Sequence, residues 1–289
     1  MAKILIGTTM DQISRARTLK AVAQMKRKLP ELEEEYIQLE EECGMKVLLQ
    51  AIQDRKVQLA AVDTSIYRKF LRSNTIDYNQ VAAVGLLRRG DPEYLLVTGR
   101  KHARHITHAD ILVHCREDGY QLSDLYEGVR CKVTDADCLK MLDAVYEENA
   151  DAALITMDEF RLLKLEKRSG LSYHVLNPER IVPDSGQAVI TLLAARGSEA
   201  YRMASEASHL KTVKEFSIEQ EIVKKAGKLN SEIVSSLRVY ARIEREHLDI
   251  YIYIRAYGHA TRLKEHGNFE DRNLLIRRMA TKIKKIVEY

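Results

Sequence analysis

The chain has 289 residues, enough for two or three domains with well-buried cores. A charged fraction of 30% and a hydrophobic fraction of 45% exclude a disordered or fibrous chain. The formal charge of +4, with both signs interleaved, neither demands nor excludes a polyanionic partner, and no apolar run reaches the roughly 20 residues of a membrane span.

The chain opens on an apolar run, Lys3–Ile6, so a secretory leader is not expected and a cytoplasmic location is. Cys43, Cys115, Cys131 and Cys138 form no C-x-x-C pair and have no histidine at zinc spacing, which predicts reduced and mostly buried thiols. Ile4–Ile6, then Gly7-Thr8-Thr9, then a helical pattern make a strand–turn–helix unit. Thr9 to Gln12 has capping-box spacing, and Ile13, Ala16, Leu19 and Ala23 are expected to line the buried helix face. The Gly7-Thr8-Thr9 turn can either bind an anion through its N–H groups or simply cap the helix. Pro30 stops that helix. Strands at 36–39 and 57–62 with a helix at 47–52 between them give a βαβαβ alternation and predict a parallel sheet. Further strands are expected at 81–87 and 95–97.

The pattern then restarts. Strands are expected at 111–113, 129–133 and 152–155, with helices at 121–126, 135–148 and 160–165, and Tyr173–Leu176 leads onward. Arg180–Gly197 is a loop feeding a buried apolar strand, and it reads as the chain returning to its first lobe. The expected architecture is α/β: two periplasmic-binding-protein-like lobes, 1–97 with 189–212 and 98–188, plus a small α+β domain at 213–289. A ligand in such a fold lies between the lobes, against loops at the carboxyl ends of strands. In the last part, helices at 200–207 and 213–226 precede two alternating strands, 233–243 and 248–254, which predict an antiparallel sheet covered by a helix at 273–287. Leu274, Ile276, Met279, Ile283 and Ile286 are its expected buried face, and the run from Arg277 to Lys285 its solvated one, so no nucleic acid is expected. Tyr240, Tyr251 and Tyr253 share a sheet face, which either docks a protein partner or is covered by residues 259–269. His102, His105 and His108 fall near one face only if 101–108 is helical, and no metal is expected there.

Several segments resemble porphobilinogen deaminases (hydroxymethylbilane synthases). Ile6-Gly7-Thr8 is similar to the family's "I-G-T-R", Val81–Pro92 to its "I-A-A-V-x-x-R-E-D-P", and Pro183–Val189 to its "P-x-x-G-Q-G-A-L", with Ala188 for the second glycine. Ala136–Asp143 resembles the helix after "R-G-N-x-x-T-R-L", and Val239-Tyr240-Ala241 falls on the end of "C-x-V-P-x-G-A-Y-A". The resemblance follows the order of parts over nearly the whole chain. It implies a cytoplasmic enzyme of tetrapyrrole and porphyrin biosynthesis, a transferase building a linear tetrapyrrole on a dipyrromethane bound to cysteine.

The site residues of that family do not carry over. Ile233 stands at about the cofactor cysteine, and no cysteine follows Cys138, so dipyrromethane attachment is expected to be absent. The family's "H-S-x-K-D" loop falls on Asp63–Tyr67, which leaves Asp63 and Asp11 as the catalytic candidates. "S-S-L-R-R" falls on His114–Asp118 and puts Glu117 and Asp118 where two arginines bind acidic side chains, so an oligopyrrole is expected to be rejected, although a one-residue slip would retain Arg116. Lys132 and Arg161 alone of that set stay basic. The expected ligand contacts are Thr8, Thr9, Asp11, Asp63, Ser65, Lys132, Arg161 and Ser185. The sequence therefore reads as a porphobilinogen-deaminase-like protein without the covalent mechanism. The alternatives are an active transferase with a rearranged site, or a non-catalytic small-molecule-binding or scaffold protein.

Overall fold

The structure, a computed structural model, describes residues 3–39, 44–73 and 80–288. Cys43 lies outside the described residues. The chain divides into two compact units, Met1–Gly90 with Gly186–Phe216 and Asp91–Ser185 with Ser217–Tyr289.

The first unit is built on a five-stranded sheet in the order β2-β1-β3-β10-β4, formed by β1 (Ile4–Thr9), β2 (Glu34–Leu39), β3 (Leu59–Asp63), β4 (Val81–Leu86) and β10 (Ile190–Ala195). β1 runs parallel to β2 and β3, whereas the returning strand β10 is antiparallel to both β3 and β4. β1, β3 and β10 are buried on both faces and read as largely apolar runs, whereas the edge strand β2 is mostly exposed. Leu59 and Ala61 pack with α1 (Gln12–Lys26) and α7 (Glu199–Glu206), while Ala60 and Val62 pack with α2 (Gly44–Gln53) and Tyr67 of α3 (Thr64–Ser73). α1 is rotated from the expected face. Ser14, Thr18, Ala21, Val22 and Met25 are buried, and Leu19 is 56% exposed. Small residues on the inner side let the helix lie close to the sheet, which a reading of large apolar residues misses. Ala188, in place of the family's glycine, has φ +59°, a left-handed conformation that costs an alanine about 1 kcal/mol.

His209 precedes α8 (Leu210–Leu229), and its Nδ1 accepts the Thr212 N–H at 3.3 Å. Burial, then Arg88, Lys28 and Lys211, push its pKa below the ordinary value. The neutral ring is therefore favoured in the folded chain, and its stabilisation is complete above the unfolded pKa of about 6.5 and lost as pH falls through the lower folded value. Urea melts at pH 7.5 and 5.5 should show a larger acid loss for the natural chain than for His209→Asn. Equal losses would remove His209 as the cause.

The second unit holds a sheet of the same pattern, β7-β6-β8-β5-β9, from β5 (Tyr94–Thr98), β6 (Asp110–Val113), β7 (Arg130–Val133), β8 (Ala152–Thr156) and β9 (Ser172–Leu176). β5 is antiparallel to its two neighbours, as β10 is in the first sheet. Residues 94–97, expected in the first lobe, thus belong to the second sheet, because the chain crosses before β5 and not after it. Three helices flank it: α4 (Arg116–Leu125), α5 (Cys138–Tyr146) and α6 (Met157–Leu162).

The same unit carries the antiparallel sheet β11 (Arg238–Glu244), β12 (His247–Ala256) and β13 (His259–Asn268). β11 begins later than expected, since 232–235 form a 3-10 turn. β13 was expected as a loop. Its residues are mostly polar and half-exposed, and the Tyr257-Gly258 turn, with φ of 51° and 82°, has the left-handed pair that closes a two-residue hairpin. The apolar face packs against α8 and α9 (Arg272–Val287), whose buried residue is Leu275, not Leu274, which is 48% exposed. On the other face Tyr253 is fully buried, donates to Asp124 at 2.8 Å and lies under Arg262, and Tyr240 packs with Val182. Tyr251 is half-buried under Lys264, so residues 259–269 do lie over two of these rings, as a strand and not as a loop.

Candidate functional site

In the first sheet the chain leaves β1 for β2 on one side and returns through β3 on the other. The switch point lies between the carboxyl ends of β1 and β3, where ligands of open α/β sheets bind. Five of the expected contacts meet there, Thr8, Thr9 and Asp11 from β1 and Asp63 and Ser65 from β3. Thr8 and Thr9 are buried, whereas Asp11 is exposed and Asp63 and Ser65 are half-buried. Asp11 caps α1, accepting the Ser14 N–H at 2.7 Å on Oδ1 and the Thr9 hydroxyl at 2.5 Å on Oδ2. Asp63 caps α3, where one oxygen accepts the Ser65 N–H, the Ile66 N–H and the Ser65 hydroxyl at 2.9, 3.1 and 2.7 Å. Both helix N-termini, the natural seats for an anion, are thus filled by the chain's own carboxylates. The cap of α1 is Asp11, not Thr9. Residues 7–14 and 63–67 contain no lysine or arginine. This edge can accept hydrogen bonds from a neutral or cationic molecule and disfavours an anion.

The corresponding edge of the second sheet, at the ends of β6 and β8, is occupied differently. Arg238, the first residue of β11, places its guanidinium there and is 3% exposed. Its Nη2 lies 3.2 Å from Glu117, 3.7 Å from Asp118 and 3.1 Å from the Cys115 sulfur, and its Nη1 lies 3.5 Å from Asp184. Tyr94 adds a hydroxyl bond to Asp118 at 3.1 Å. Burial alone would lower the pKa of Arg238, but Asp184 and then Asp118 outweigh it and hold the cation well above its usual range. Glu117 and Asp118, expected as acids that repel a ligand, are instead the partners of this arginine. Sequence reasoning missed Arg238 because an alternating strand assigns it only to a sheet face. The available signal was a charged residue between Leu237 and Val239, in a chain with uncompensated acids at 117, 118 and 184.

The remaining expected contacts lie elsewhere. Lys132 is exposed on the edge strand β7, and Arg161 pairs with Asp91 at 2.8 Å. Ser185 is 1% exposed, donates to Glu219 at 3.1 Å and accepts from Gln220 at 2.9 Å, so it reaches a ligand only by giving up internal bonds. Ile233 is buried in the apolar core of the C-terminal sheet and its helices, and Tyr67, at the place of the family's aspartate, is buried in the first unit. His102 is buried 3.4 Å from Asp151, whereas His105 and His108 are exposed, so the three histidines share no face. Burial pushes the thiol of Cys131 up and that of Cys138 up to about 12, which makes both poor nucleophiles at neutral pH.

No protein-family model matches the chain, and no curated protein matches it. Solved structures are similar only in fold. The methionine-binding protein MetQ is 10% identical with a TM-score of 0.46, over 71% of this chain and 89% of its own. The periplasmic VFT2 domain of BvgS from Bordetella pertussis is 15% identical with a TM-score of 0.44, over 70% and 86%. The probable amino-acid-binding protein ytmK from Bacillus subtilis is 12% identical with a TM-score of 0.42, over 78% and 94%. Likeness at this level transfers no ligand. Among the described residues, no helix is long and apolar enough to cross a membrane.

Proposed function

We propose that the chain is a non-catalytic small-molecule-binding protein of the porphobilinogen-deaminase kind, with its oligopyrrole site closed from within. The observation that carries this reading is the buried Arg238 among Glu117, Asp118 and Asp184. Aligned through Val239-Tyr240-Ala241, Arg238 stands on the glycine of "C-x-V-P-x-G-A-Y-A". Glycine there leaves room for a bound group, and an arginine fills that room. Its partners Glu117 and Asp118 stand on the two arginines that the resemblance assigns to acidic side chains. The change at 238 and the reversal at 117 and 118 are thus two halves of one internal ion cluster.

Of the expected ligand contacts, Thr8, Thr9, Asp11, Asp63 and Ser65 at the first-sheet edge are the group that remains together, and that edge favours a neutral or cationic molecule. Asp63 and Asp11 act as helix caps, which supports binding rather than proton transfer. The test is a porphobilinogen-consumption assay with intact-mass measurement after co-expression with excess porphobilinogen. No turnover and an unmodified chain are expected. Uroporphyrin formed after oxidation, or added mass on Cys115, Cys131 or Cys138, would overturn the reading and restore the transferase.

A further inference from the structure

Away from both strand edges, the second unit has a groove of about 400 Å³, within the size range of metabolite sites. Four basic side chains line it, Arg104 and His105 from the loop after β5, His174 from β9, and Arg180 from the segment after β9. Ile106, Leu125 and Tyr126 give it an apolar wall, and Glu127 is its one acid. Elsewhere in this unit arginines are mostly matched, as Arg130 is with Asp110, Arg161 with Asp91 and Arg168 with Asp143. Neither Arg104 nor Arg180 has a carboxylate partner among the described residues. Arg180 instead sits over the Tyr126 ring, 5.7 Å from its centroid, with its backbone N–H fixed by Asn177 at 3.0 Å. The Nε2 atom of His174 is shielded from solvent and has no hydrogen-bond partner among the described residues, an arrangement that costs stability until something pairs with it.

The walls are held in place. The His108 N–H bonds the Glu127 carbonyl at 3.0 Å and the Arg130 N–H bonds Ala109 at 2.9 Å, tying the loop to the turn after α4. His108 and Gly128 are both left-handed there, and a Cβ on Gly128 would lie 2.3 Å from the His108 ring. Two unmatched arginines, two imidazoles and an apolar wall in one braced groove match a small organic anion, with its head group on the arginines and its body against Tyr126 and Leu125.

We infer that this groove is a second binding site, for a small organic anion bearing a carboxylate or phosphate head group. It is independent of the first-sheet edge, which disfavours anions. The test titrates the full chain with phenyl phosphate, phenylacetate and the neutral control benzyl alcohol, by calorimetry and thermal shift at 0.15 M salt. At least one anion should bind and raise the melting temperature, with benzyl alcohol silent, and whichever anion is tighter identifies the head group. Each of Arg104→Ala and Arg180→Ala should weaken binding about tenfold, the loss of one charge-assisted pair. Both arginines are exposed, so the variants should melt like the natural chain in the absence of probe. Binding by neither anion, equal binding of benzyl alcohol, or undiminished binding to both variants would overturn the site.

Discussion

Replacing Arg238 by alanine is expected to destabilise the chain by about 3–5 kcal/mol, the cost of breaking a buried ion cluster from one side. The guanidinium lies within 4 Å of Glu117, Asp118 and Asp184, and it is almost wholly shielded from water. Its loss leaves those carboxylates near one another in a largely water-shielded site, with the N-terminus of α4 and the Tyr94 hydroxyl bond to Asp118 as weaker compensation. Neutralising all three acids together with the arginine, as Glu117→Gln, Asp118→Asn, Asp184→Asn and Arg238→Met, should recover most of the loss, because the penalty is uncompensated charge and not missing bulk. Urea denaturation of the single and quadruple variants measures both. A loss under about 1 kcal/mol for Arg238→Ala would mean that water or a ligand reaches the site, and the closed-site reading would fall with it.

The second large effect is expected at Glu219 of α8, which is fully buried. Its carboxylate accepts the Ala241 N–H of β11 at 3.0 Å and the Ser185 hydroxyl at 3.1 Å. Glu219→Ala strands both donors, at about 1–3 kcal/mol each, so a loss of about 2–6 kcal/mol is expected. Glu219→Gln keeps an oxygen for Ala241 and should cost less. Ser185→Ala removes only the hydroxyl arm and should cost least. Chemical denaturation of the three variants should give that order. A Ser185→Ala loss equal to that of Glu219→Ala would show that β11 does not depend on Glu219.

Much of the architecture was legible along the chain. Leu59–Val62 is apolar at every position and Ile190–Ala194 at every position but Thr191, as strands of a sheet buried on both faces are. The alternation in 248–254 likewise announced a sheet with one apolar face. β13 was hidden because its residues are mostly polar and half-exposed, so the segment displays no apolar period. The strand-to-helix junctions that carry Thr8, Thr9, Asp11, Asp63 and Ser65 were legible too, since where strands end and helices begin is set by local pattern.

The ion cluster at the second sheet was not. Glu117 and Asp118 read as repulsive acids because their partner lies more than a hundred residues away, on a strand that reaches them only through the packing of the C-terminal sheet. The sequence alone determined the absence of a cysteine after Cys138, the charge at each position and, β13 apart, the order of strands, all of which are local or compositional. The tertiary structure decided which charges meet, because an ion cluster is assembled from side chains of distant segments and its energy depends on their distance and burial. By that means the acids at 117 and 118 became the partners of Arg238, and Ser185 a ligand of Glu219.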